Sequence, residues 1–123
     1  MCYNILKIFN NVKVYDNAKV YDNAEIYGDA EICDNARVFG NAEVGGDSKI
    51  YSDARVFEEA HIYDNAKIHG IAAIYGGAKV FGDAKIFDNA KIYEEAKVYG
   101  NARIYGNVCV TGKAIIDGDA NIC

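Results

Sequence analysis

The sequence predicts an all-β fold, a single chain wound as a parallel β-helix of triangular section. Three observations predict it. From Ile8 to Ile122 every sixth residue is Ile or Val, and the register never slips. Two places before nearly all of these stands a small residue, usually Ala, so that Ala, charged, aliphatic and aromatic residues alternate over four positions. Strict alternation puts Ala and the aliphatic on one face of a short strand, and the charge and the ring on the other. Between these quartets sit pairs drawn mostly from Asp, Asn and Gly, which favour turns and tolerate positive φ.

Taken in order, residues 1–7 (Met1-Cys2-Tyr3-Asn4-Ile5-Leu6-Lys7) carry no repeat and are expected to form an irregular N-terminal cap. The repeat domain is expected to run over 8–123. Its unit is plain in Val14-Tyr15-Asp16-Asn17-Ala18-Lys19. A period of six is not helical, because helical stripes recur every three or four residues. A short fixed period is the mark of a solenoid. Each hexad is therefore one short strand and one corner, and three hexads close a lap of eighteen residues. The chain makes between six and seven laps. At ~4.8 Å per lap the prism stands about 30 Å tall.

The hexad Ile26-Tyr27-Gly28-Asp29-Ala30-Glu31 has an aliphatic residue, turn-formers, and a small residue four places on. Repeated over about nine-tenths of the chain, this pattern resembles the hexapeptide-repeat, left-handed parallel β-helix family of the bacterial transferase hexapeptide type. The resemblance implies a left-handed winding, against the right hand that the general crossover rule gives. It also implies side-by-side homotrimers. Acyl transfer is the best-known activity among similar proteins, which use a histidine near a loop extruded from the coils. Here His61 and His69 are present, but no extruded loop and no added acceptor domain.

Composition narrows the classes. Hydrophobic residues make up 51%, yet Leu occurs once and Pro and Trp not at all. A formal charge of -5 disfavours general nucleic-acid binding. No stretch approaches the ~18 apolar residues of a membrane span, and the N-terminus does not read as a signal peptide. A cytoplasmic protein is expected. Cys2, Cys33, Cys109 and Cys123 lack ligand spacing and read as free thiols. The sequence implies no metal and no cofactor.

Residues eighteen apart share a column on the outside. The first face carries Phe9, Tyr27, Gly45, Tyr63, Phe81 and Tyr99. The second carries Tyr15, Cys33, Tyr51, His69, Phe87 and Tyr105. The third carries Tyr21, Phe39, Phe57, Tyr75 and Tyr93, aromatic without a gap until Thr111. Beside the third column stand Lys19, Arg37, Arg55, Ala73, Lys91 and Cys109, with no acid among them. Aromatic planes next to cations suit flat anions such as nucleotides. The candidate ligand-binding or interface residues are Arg37, Arg55, Phe57, Tyr75, Lys91 and Tyr93. The competing reading of the same column is a self-stacking ladder with solvated cations.

Departures from the repeat carry the remaining signals. Gly45 removes a ring and predicts a notch on the first face, with Glu43 and His61 on adjacent rungs. An acid beside a histidine is a possible general base, or a surface ion pair. Ile71 and Ala73 make the corner between the second and third faces more apolar, which points to a contact or to drift in the repeat. After Val108 the rings stop, and Ile115 takes a charged slot. The reading that follows is a non-catalytic, oligomeric binding or assembly module that holds a small anionic ligand in grooves between subunits. The alternatives are an acyltransferase-like enzyme and a rod that assembles end to end.

Overall fold

A computed structural model of the chain describes residues 2–3 and 11–123. Leu6, Ile8, Phe9 and most of the expected cap lie outside the described residues. The described chain is all β, with three parallel sheets of seven, six and seven strands and about six turns of solenoid. Among the described residues there is no helix.

Each side of a lap contributes a two-residue strand made of the outward slot and the inward aliphatic, such as Lys19–Val20 or Arg55–Val56. The ladder extends beyond those pairs because alternate amides donate to the next lap. Lys19 N–H bonds the Ala36 carbonyl at 3.0 Å, Tyr21 N–H that of Val38 at 3.1 Å, and Asn23 N–H that of Gly40 at 2.9 Å. Registers confirm the eighteen-residue lap: Ala73 pairs Arg55 on one side and Lys91 on the other. Cys2–Tyr3 is offset by one, pairing Lys19–Val20, and adds a strand to the third face from within the segment expected as a cap.

The bore is lined by branched aliphatics. From Val20 to Ile104 every repeat aliphatic is fully buried, and the Ala residues two places earlier are buried with them. Ala suits its position because a larger side chain would force the walls apart. Ser48 takes that position once and donates its hydroxyl to the Gly45 carbonyl at 2.8 Å, which removes the cost of a buried polar group. Toward the end of the chain Ile116 and Ile122 are half-buried.

Every corner from residue 16 to residue 118 has positive φ at the position after the ring slot, between 57° and 75°. Gly fills many of these corners; Asp, Glu or Ser fills the others. Where an acid stands, its carboxylate often accepts the amide of the corner one lap on. Asp34 takes Ser52 N–H at 3.0 Å, Asp64 takes Gly82 N–H at 3.1 Å, and Glu58 takes Gly76 N–H at 3.2 Å. Charged acceptors strengthen such bonds and offset the cost of a left-handed backbone. Acids that make the chain negative are thus concentrated on the corners. The sheet faces between them keep their cations.

Candidate functional site

The third face is built from Lys19–Val20, Arg37–Val38, Arg55–Val56, Ala73–Ile74, Lys91–Ile92 and Cys109–Val110, with Cys2–Tyr3 at one end. Parallel in-register pairing places like residues on top of one another. Lys19, Arg37 and Arg55 are successive rungs. Three cations at strand spacing repel each other, and no acid shares their column. Beside them Tyr21, Phe39, Phe57, Tyr75 and Tyr93 form a continuous stack, with centroids 4.8 to 5.0 Å apart and planes within 7° of parallel.

Two depressions lie on this face. One, of about 600 Å³, is lined by Arg55, Phe57, Ile71, Ala73, Tyr75, Asn89, Lys91, Asn107 and Cys109. The other, of about 630 Å³, holds Lys19, Arg37 and Arg55 with Asn17, Asn35, Asp53 and Ile71. Ile71 borders both and is 55% exposed. Of the six residues predicted from sequence, Arg55, Phe57, Tyr75 and Lys91 come together in one depression. Arg37 lies in its neighbour, and Tyr93 lies next to Tyr75 in the stack. Burial pushes the Tyr75 hydroxyl above its usual pKa, with the neighbouring Tyr93 adding to the effect.

Sequence reasoning missed the corner amides that close this depression. Asn89 donates its side-chain amide to Asn107 at 2.9 Å, forming a polar rim beside Lys91. Columns of eighteen drawn through the corner positions would have shown it, since the same step links Asn11 to Asp29 and Asn65 to Asp83.

On the first face, Glu43 and His61 are paired rungs, with His61 Nδ1 3.3 Å from Glu43 Oε1. They border a shallow depression of about 330 Å³ with Asn41, Glu59, Gly77 and Lys79. The notch expected at Gly45 is filled. The Tyr27 ring lies across Gly45, so close that a Cβ there would sit 2.2 Å from a ring carbon. Burial, then Glu43, pushes the Tyr27 hydroxyl up. On the second face His69 is sandwiched between Tyr51 and Phe87, and its pKa is lowered chiefly by burial. Among the described residues no group of three or more His, Cys, Asp or Glu side chains could hold a metal ion.

Three stretches, 30–46, 96–110 and 102–118, match the family model described as YdcK beta solenoid repeat. The chain is a β-solenoid repeat protein. The matched stretches of this solenoid fall on corners and strands of all three faces, so they report the winding and not any one column. No curated protein matches the solenoid. No helix among its described residues is long and apolar enough to cross a membrane.

Proposed function

We propose that the solenoid is a non-catalytic binding module whose third face takes a small, flat, anionic ligand of the nucleotide class. The observation that supports this is the shared depression of Arg55, Phe57, Tyr75 and Lys91. Ring faces offer stacking worth about 1–3 kcal/mol per base. Arg55 presents a planar guanidinium suited to phosphate, and Lys91 a second charge on the far side of the uncharged Ala73 rung. Ala73 and Ile71 supply an apolar floor where the repeat would normally put a charge and an Asn. All lining residues come from one chain, so this reading needs no groove between subunits.

Adenosine monophosphate, adenosine and inorganic phosphate are the probes, followed by calorimetry or by tyrosine emission, which no Trp obscures. The monophosphate should bind more tightly than either fragment. Arg55→Ala and Tyr75→Ala should each weaken it by about tenfold, equivalent to roughly 1.4 kcal/mol. Binding by both variants as tight as the parent's, or none by the parent chain, would remove the proposal.

A further inference from the structure

The outward column of the first face is ordered by charge along the solenoid axis. Glu25, Glu43, His61, Lys79 and Lys97 are successive rungs, joined pairwise in register. Two acids stand on one side of the histidine and two lysines on the other, and Ile115 follows Lys97 as an uncharged sixth rung. The other two faces have no such order: the third lacks acids in its outward column, and the second runs Lys49, Lys67, Lys85, Arg103 without interruption after Glu31.

We infer that the first face is the contact surface for a second copy of this chain, packed antiparallel about a two-fold axis that passes His61. The symmetry follows from the charge order. A two-fold axis lying across the face reverses height and preserves lateral position. Charge column then meets charge column, with Glu25 opposite Lys97 and Glu43 opposite Lys79, each occurring twice. Shifting the centre by half a rung leaves Glu25 or Lys97 without its opposite. Packing with parallel axes, as in the side-by-side trimer that the family resemblance implies, brings acids level with acids and lysines level with lysines. Like charges held at one height cost affinity, so the pattern selects the antiparallel arrangement.

The ring column of the face is compatible with this centre. Beside the charges runs the stack Tyr63, Phe81 and Tyr99, at 4.8 to 4.9 Å, which supplies apolar area along the seam. Reversal sets Phe81 opposite Gly45, which has no side chain of its own and is covered by the Tyr27 ring. It also sets the side-chain-free corner at Gly77 opposite Asn41. One sheet face of six strands is a small interface, so the dimer is expected to be weak, concentration-dependent and sensitive to salt.

Sedimentation velocity over a concentration series tests this on the full chain. The parent should pass from monomer to dimer, and raising the salt from about 0.05 to about 0.5 M should shift the midpoint upward at least roughly tenfold. Glu43→Lys and Lys79→Glu should each be monomeric at the parent's dimer concentrations, because each places like charges opposite one another. Mixed one to one, the two variants should form a dimer again. The two substituted positions then face each other with opposite charges, and the unaltered Lys79 of one chain still faces the unaltered Glu43 of the other. Circular dichroism and melting of each variant separate lost contact from lost fold. A parent that is monomeric or trimeric throughout, a single variant that still dimerises, or a mixture that stays monomeric overturns the inference. None of these outcomes bears on nucleotide binding by the third face.

Discussion

At Gly70 the backbone has φ +66°, and an added Cβ would lie 2.6 Å from the amide nitrogen of Asp88 one lap on. Gly112 has nearly the same φ, +67°, with nothing within 4 Å. Two costs that usually come together are therefore separable here. Gly112→Ala carries the left-handed backbone cost of about 1–2 kcal/mol. Gly70→Ala adds displacement of the next lap and should destabilise by roughly 1–3 kcal/mol more. Ala is the harsher test because it brings the Cβ without the carboxylate that Asp34 or Asp64 uses to take the next amide. Denaturant melts of the two variants measure the difference, and equal losses would show that lap-to-lap contact at the corner contributes nothing.

Within one ring column, stacking turns a titratable side chain into a packed element. His69 lies 4.7 Å from the Tyr51 ring and 5.0 Å from Phe87, nearly parallel to both. Burial is the main cause of its lowered pKa; Lys67 and Lys85 lower it further, and Asp88 opposes them. A folded-state pKa below the unfolded value, about 6.5, means that the unfolded chain takes up the proton first. Stability from this site is full above that value and is lost as pH falls through the lowered folded pKa. His69→Phe, which continues the stack without a titrating group, should flatten the melting-temperature profile below pH about 6.5 and raise the melt at pH about 5. The columns that define these stacks were legible in the sequence, since a fixed period of eighteen decides which residues meet. The fate of Gly45 was not. The alternation leaves an empty slot there, but the ring of Tyr27 can reach across to the next lap, and no sequence period encodes that reach. The corner acids were recognised as turn-formers but not as acceptors for the next lap, because that bond depends on the backbone direction at positive φ.

Over the whole molecule the period separates winding from chemistry. The bore repeats every six residues, whereas a surface column repeats every eighteen. Joining Lys19 to Val38 by removing residues 20–37 takes out one full lap. Every column below keeps its face, so the chain should fold, bind as before at Arg55, Phe57, Tyr75 and Lys91, and melt only a few degrees lower. Joining His61 to Ile68 by removing 62–67 keeps aliphatics over aliphatics, since Ile68 takes the place of Ile62. It turns the chain beyond that point by one face, however, and carries Tyr75 and Lys91 away from Arg55 and Phe57. Lys79 and Phe81 then stand where Ala73 and Tyr75 stood and the apolar floor is lost, so that variant should melt cooperatively and bind nucleotide more weakly. Removing 62–64 is half a hexad: corner residues fall where aliphatics belong, and Ile68 moves to a corner. Charge and amide would then enter a bore with no partners for them, at several kcal/mol per unpaired group. Such a chain should show no cooperative melt by circular dichroism. If the six-residue deletion fails to fold like the three-residue one, stability resides in the outer stacks and corner carboxylates, not in the aliphatic bore.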